Sequence, residues 1–231
     1  MRAMPIRESE LNIEDIHAFT YRPEGQVKGG VLFLPHNAGA DRFSREHAQL
    51  LAEGGLATVL WDPYPGKPAP KTDDDRRAYS AALDDDWAWQ GQSRLVSYMH
   101  EELRVDNVGC IGFCMGGRLT LLLGAKDRRI ASVCAFYPTI RRPKPDHQTY
   151  DVIDLAGEIR CPVMAICAGK DHIVTPETYS ALRNTLRARP EPSLNQIFPD
   201  AGHGFLHGGD SPVASKLSWP VAVAFLQACL L

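Results

Sequence analysis

Five short apolar runs, separated by longer stretches that mostly carry helical periodicity, constrain this chain more than any other feature. They read GGVLFLPH (29–36), LATVLWDPY (56–64), NVGCIGFC (107–114), IASVCAFYP (130–138) and CPVMAICAG (161–169). Runs that stay apolar without alternating are strands buried on both faces. The segments 44–55, 73–104, 116–127 and 176–189 supply helices, so the pattern predicts an α/β chain with a mostly parallel central sheet covered on both faces. A sixth run, SLNQIFP (193–199), is more polar and suits an edge strand. The opening segment ELNIEDIHAFTYRPEG (10–25) is read as one or two added antiparallel strands. A last helix is expected after Pro212, kinked or split at Pro220.

Punctuation agrees with these assignments. Thr175-Pro176 offers an N-cap and a first-turn proline, and Gly54-Gly55 offers a C-cap. A length of 231 residues fits one domain spanning 1–231. The single long irregular insertion is TIRRPKPDHQTYDVIDLAGE (139–158), read as a surface loop with a small lid as the alternative.

Composition matters mainly for what it excludes. Hydrophobic residues make up 44% of the chain, enough for a core that needs neither metal nor disulfide. The net charge of −3 is spread along the sequence, with no basic stripe for nucleic acid or an anionic membrane. MRAMPIRESELN lacks the apolar segment of a secretory signal, and no uninterrupted apolar run approaches the ~20 residues of a membrane span. Six cysteines without C-x-x-C spacing read as reduced thiols in a cytoplasmic protein, monomeric or homodimeric. Neither a metal nor a cofactor is implied.

The third run ends in CIGFCMGGR (110–118), where Cys114 lies between Gly112 and Gly116. A thiol buried as a small hydrophobe needs no such neighbours. Gly-x-Cys-x-Gly repeats the pattern of Gly-x-Ser-x-Gly, in which a nucleophile sits on a sharp strand-to-helix turn. Chemistry in open α/β sheets gathers at the carboxyl ends of the strands, so the residues following the later runs become candidates. The fifth is followed by AGKDHIVTPE, with Asp171, and the sixth by PDAGHGF, with His203. The order nucleophile, acid, histidine is that of α/β-hydrolases. Asp200, three residues before His203, competes for the acid's role. A free thiol needs a partner to become a thiolate near neutrality; His203 would supply it, and Asp171 would fix the imidazole tautomer. Oxyanion donors are expected from the backbone of Met115 and of Asn37.

The motifs GFCMGG (112–117), GKDHIVTP (169–176) and AGHGF (201–205), with weaker support from LWDPYPG (60–66), resemble the dienelactone hydrolase family, the cysteine branch of the α/β-hydrolases. The resemblance spans roughly residues 27 to 230 and implies Cys114, Asp171 and His203 as a triad. It also implies a glutamate after the first sheet strand and an arginine after the catalytic histidine. Those places hold His36 and His207 here, while Arg76 or Arg77 loosely matches a second carboxylate-binding arginine. Without the arginine fork, bidentate recognition of a substrate carboxylate is lost.

The expected activity is hydrolysis of small carboxylic esters or lactones through a thioester intermediate. The alternatives are a promiscuous aryl esterase or phosphotriesterase on the same site, or a thiol that reacts with peroxide. The pocket is expected to include His36, Tyr64, Tyr79, Phe113, Phe205 and His207, with Trp61 and Tyr137 as further rim candidates.

Overall fold

The computed structural model describes residues 5–25, 27, 29–208 and 211–231. Eight strands form one sheet in the order β1-β2-β4-β3-β5-β6-β7-β8. The buried runs become β3 (Gly29–Leu34), β4 (Ala57–Asp62), β5 (Asn107–Phe113), β6 (Ile130–Phe136) and β7 (Val163–Ala168), all mutually parallel. The polar sixth run is β8 (Ser193–Phe198), parallel to β7 at the sheet's edge. The opening segment forms a hairpin of β1 (Ile6–Ile13) and β2 (Ile16–Pro23), which turns at Glu14 and joins the sheet antiparallel to β4.

Helices cover both faces, as the alternation requires. On one face lie α1 (Arg42–Glu53) and α8 (Pro212–Leu230). On the other lie α3 (Asp85–Glu101), α4 (Met115–Lys126), α5 (Val152–Ala156) and α6 (Pro176–Arg187). Two short helices complete the set, α2 (Asp73–Ala81) and α7 (Phe205–Gly208). This is the α/β-hydrolase arrangement expected from the strand pattern.

The stretch 73–104 supplies two helices, broken at residues 82–84. Thr72 and Asp75 close a capping box on α2, and Asp84 caps α3 by accepting from Trp87 N–H at 2.8 Å. One helical expectation needs correction: α8 is neither split nor ended at Pro220. Pro220 and Lys216, four residues earlier, both face solvent, so water can serve the Lys216 carbonyl that proline's missing N–H leaves free. By length and composition alone α8 could cross a membrane. In this fold Ala214, Ser218, Ala222, Leu226 and Leu230 face the sheet on one line of the helix.

The strand order places the site. From β3 the chain steps to β4 on one side, then from β5 onward builds toward β8 on the other. The β3–β5 junction is therefore the switch point, where loops diverge and open a crevice at the strands' carboxyl ends. Cys114 lies one residue beyond β5.

Candidate active site

The turn from β5 into α4 is held from several directions. Cys114 adopts φ 56°, ψ −113°, a left-handed φ that costs energy for any residue with a Cβ. Its N–H donates to the Phe136 carbonyl at 3.0 Å, and its own carbonyl accepts from Arg118 N–H at 3.1 Å and Thr139 N–H at 3.0 Å. The two glycines follow from close backbone approach. A Cβ on Gly112 would lie 2.3 Å from the Gly116 carbonyl oxygen, and one on Gly116 would lie 2.0 Å from that of Leu34. Only glycine lets β5, α4 and the end of β3 approach this closely.

The three sequence candidates converge. His203 Nδ1 lies 2.8 Å from Asp171 Oδ2, with both side chains nearly closed to solvent. Asp171 Oδ2 also accepts from the Tyr179 hydroxyl at 2.6 Å, while Oδ1 accepts from Ile173 N–H at 2.8 Å and Val174 N–H at 3.0 Å. Burial alone would push the Asp171 carboxyl up, but His203, Tyr179 and the backbone donors together lower it. The competing acid does not enter the site: Asp200 is 85% exposed and pairs with Lys170 at 3.0 Å.

On the other side of His203, Cys114 Sγ lies 3.0 Å from Thr139 Oγ1, which is 3.5 Å from His203 Nε2. Burial raises the Cys114 thiol, yet the hydrogen bond and charge of His203, the Thr139 hydroxyl and Met115 N–H outweigh it, and the net shift is downward. For His203, burial favours the neutral ring, but Asp171 and Cys114 raise it to about 9. His203 is therefore largely imidazolium near pH 7, and beside it the Cys114 thiol gives up its proton more readily than a free thiol. The other five cysteines are shifted up, burial being the first cause in each: Cys110, Cys134, Cys229, and Cys161 and Cys167, the last two to about 12.

The backbone around the thiol contributes further. Met115 opens α4, and its N–H faces Sγ. Asn37 lies on the loop after β3, where its carbonyl accepts from the Tyr64 hydroxyl at 3.2 Å. Among the described residues its N–H has no hydrogen-bond partner. The Tyr64 hydroxyl also lies 3.6 Å from Met115 Sδ, so this side chain ties the β3 loop to the start of α4. Beyond Tyr64 a groove of about 240 Å³ is lined by Pro63, Tyr64, Lys67, Tyr79, Leu83 and Trp87.

Several pocket expectations are corrected. Phe113 and Phe205 are fully buried, as are Trp61 and Tyr137. Phe113 is the residue before Cys114, so strand alternation sends its ring to the opposite face, where it stacks between Phe33 and Phe136 with centroids 5.3 and 4.7 Å away. Phe205 packs against Tyr137 and Phe198. His207 does not line a pocket mouth either. Its ring lies 3.8 Å from that of Phe43 and 4.2 Å from that of His36, its Nδ1 meets the Tyr137 hydroxyl at 2.9 Å, and its Nε2 is buried with no partner among the described residues. Burial drives it down to about 3, so it is neutral at any ordinary pH. His36 Nε2 bonds Asp41 Oδ2 at 3.0 Å, and despite burial Asp41 is held to about 2 by that bond and by the Ser44 donors.

Three contributors left no clear sequence signal. Thr139 lies in the irregular insertion, and Tyr179 resembles any other core aromatic of α6. The third is a buried ion pair: Arg118 on α4 meets Asp85 on α3 at 2.8 and 2.7 Å. Arg118 also donates to the Tyr150 carbonyl at 3.2 Å, and Asp85 accepts from Tyr150 N–H at 3.2 Å. The pair thereby anchors the insertion's far end one helical turn beyond Cys114.

A nucleophile-type turn at the switch point of a mostly parallel eight-stranded sheet, with acid and histidine on later strand ends, defines an α/β-hydrolase. The model of the dienelactone hydrolase family matches residues 16–230, and the chain belongs to that family. It is a hydrolase acting on ester bonds, in the dienelactone hydrolase manner. A carboxymethylenebutenolidase of Rhodococcus opacus is 30% identical over 211 residues, covering 85% of this chain and 80% of the relative. A carboxymethylenebutenolidase homolog of Xenopus tropicalis is 28% identical over 203 residues, covering 86% of this chain and 78% of the relative. Among solved structures, a putative dienelactone hydrolase of Klebsiella pneumoniae superposes with a TM-score of 0.87 at 20% identity, covering 96% of this chain and 99% of its own.

Proposed function

We propose that this chain hydrolyses small neutral esters or lactones through a Cys114–His203–Asp171 triad and a thioester intermediate. The observation that carries the reading is the chain of contacts from Asp171 through His203 toward Cys114, the one thiol of six whose pKa is lowered.

The chemistry follows from the geometry. The Cys114 thiolate attacks the acyl carbon and forms the S–C bond. The carbonyl oxygen gathers negative charge, which the N–H groups of Met115 and Asn37 receive. The His203 imidazolium gives its proton to the departing alkoxide, and the neutral ring, held in the correct tautomer by Asp171, then takes a proton from water. The resulting hydroxide attacks the thioester, and the sulfur leaves as thiolate with release of the acid. For a lactone the alcohol stays attached to the acid. The groove beyond Tyr64, with Tyr79 and Trp87, suits a flat aryl or cyclic group.

The substrate's charge is the specific part. Where the family resemblance implies a glutamate and an arginine, His36 and His207 meet ring to ring at 4.2 Å. A buried neutral His207 gives a carboxylate no charge. Arg76 and Arg77 are engaged by Asp73 and Asp74 on their own helix. The test is kcat/KM at pH 7.5 for a matched pair of aryl esters differing only in one carboxylate. The neutral ester is expected to react at least as well. A preference of roughly a hundredfold for the acid, about 2.7 kcal/mol, overturns this substrate class.

A further inference from the structure

We infer that the Thr139 hydroxyl is a further catalytic residue, bridging the Cys114 thiol and the His203 imidazole and carrying the proton between them. The inference rests on the proposed role of Cys114 as nucleophile and adds a fourth side chain to that site.

The position of Thr139 is fixed independently of its side chain. β6 is followed by Tyr137 at φ 32°, whose N–H is tied to the Ile166 carbonyl at 2.6 Å. Pro138 packs against Gly117, where a Cβ would meet the Pro138 Cα at 3.1 Å. Thr139 N–H donates to the carbonyl of Cys114 itself at 3.0 Å, and Ile140 is buried on the other side of the chain. The segment is thus pinned to the nucleophile's own peptide, which leaves Oγ1 3.0 Å from Sγ and 3.5 Å from Nε2. His203 also acts on the thiol directly, and the hydroxyl, within reach of both atoms, adds a bridge between them.

A hydroxyl has one donor and two acceptor sites, which is what a bridge requires. With a neutral thiol, Oγ1 accepts from S–H and donates to Nε2. When the proton moves, the S–H bond breaks as a new Oγ1–H bond forms, and the former Oγ1–H bond breaks as Nε2–H forms. The result is thiolate and imidazolium with the hydroxyl restored, now donating to S⁻ and accepting from Nε2–H. No proton or electron is left over. The 3.5 Å contact is long, as catalytic hydrogen bonds often are before substrate binds. Once sulfur carries an acyl group it is a poor acceptor, and the hydroxyl is released to orient the incoming water beside His203.

Thr139→Val keeps the branched shape and removes the hydroxyl, and Thr139→Ser keeps the hydroxyl and removes the methyl. The readout is the pH dependence of Cys114 alkylation by iodoacetamide, mapped by peptide mass, beside kcat/KM for a nitrophenyl ester. For Thr139→Val the apparent thiol pKa is expected to rise by about one unit or more, the worth of a hydrogen bond to a charged group. At pH below the wild-type thiol's apparent pKa, the variant's kcat/KM is expected to fall about tenfold for each unit of that rise through the lost thiolate, while Thr139→Ser stays near wild type on both counts. If Thr139→Val does not fold, Thr139→Ala carries the same expectation. A Thr139→Val profile that superimposes on wild type, or a Thr139→Ser variant that behaves like Thr139→Val, overturns the bridge. An ester acyl group that never reaches Cys114 in the wild type defeats the proposed function instead, so the two failures are distinguishable.

Discussion

Asp171→Asn tests the site with the smallest change of shape. Both carboxylate oxygens are committed: Oδ1 to the N–H groups of Ile173 and Val174, and Oδ2 to His203 Nδ1 and the Tyr179 hydroxyl. An amide cannot satisfy both sets. Turning its NH₂ toward residues 173 and 174 sets donor against donor, so the amide oxygen stays there and the NH₂ faces His203. Nδ1 must then accept, which leaves the neutral ring protonated at Nε2 and unable to take the thiol's proton. The same swap removes the negative charge that supports the imidazolium. Turnover is expected to fall on the order of 10³- to 10⁴-fold, about 4–5.5 kcal/mol of transition-state stabilisation, with little change in KM. The assay is steady-state hydrolysis of a nitrophenyl ester by wild type, Asp171→Asn and Asp200→Asn, each checked for folding by thermal melt. Asp200, exposed and paired only with Lys170, should lose less than about threefold. A loss below about tenfold at Asp171, or a larger loss at Asp200, refutes the assignment of the acid.

The pH profile of kcat/KM should be bell-shaped. With the thiol pKa lowered, the rate climbs on the acid side below the ordinary thiol range; with His203 raised to about 9, it falls above that value as the proton for the leaving group is lost. Cys114 alkylation, which needs thiolate alone, should keep the acid limb and lack the alkaline one; a matching alkaline fall would contradict the assignment of that limb to His203. Gly116→Ala places a Cβ 2.0 Å from the Leu34 carbonyl oxygen, a collision with backbone that no rotamer relieves. It should cost at least about 2–3 kcal/mol in urea unfolding, and a loss under about 1 kcal/mol would mean the turn yields more easily than its geometry says.

The fold was legible because its strands are buried on both faces and therefore read as unbroken apolar runs, with β8 marked as an edge by its polarity. Cys114, Asp171 and His203 stood out as candidates because each sits at a strand's carboxyl end beside a glycine or a short turn, a local signal that survives in a single sequence. The break between α2 and α3 was harder to see, since it uses neither glycine nor proline; the caps at Thr72 and Asp84 mark it only once looked for. The pocket failed for a different reason. Aromatic residues such as Phe205 and Tyr137 carry no record of which way they face, although Phe113 next to Cys114 was decidable from strand alternation. Thr139 was invisible because its place depends on a bond from an irregular segment to the Cys114 carbonyl, a contact 25 residues apart in the chain. His36 and His207 were read as departures from the family pattern, and only packing shows that they lie against each other and Phe43 rather than open to substrate.

Trapping the acyl group is the most direct test of Cys114 as nucleophile. Wild type mixed with a slowly hydrolysed aryl ester, quenched in acid within the first turnovers and digested, should yield one acylated peptide, with the mass shift on Cys114. Cys114→Ala should fold, take up no label and lose turnover, and Cys114→Ser should turn over poorly, since an alkoxide is far harder to form than a thiolate. An acyl group on another residue, or turnover retained in Cys114→Ala, would contradict the mechanism.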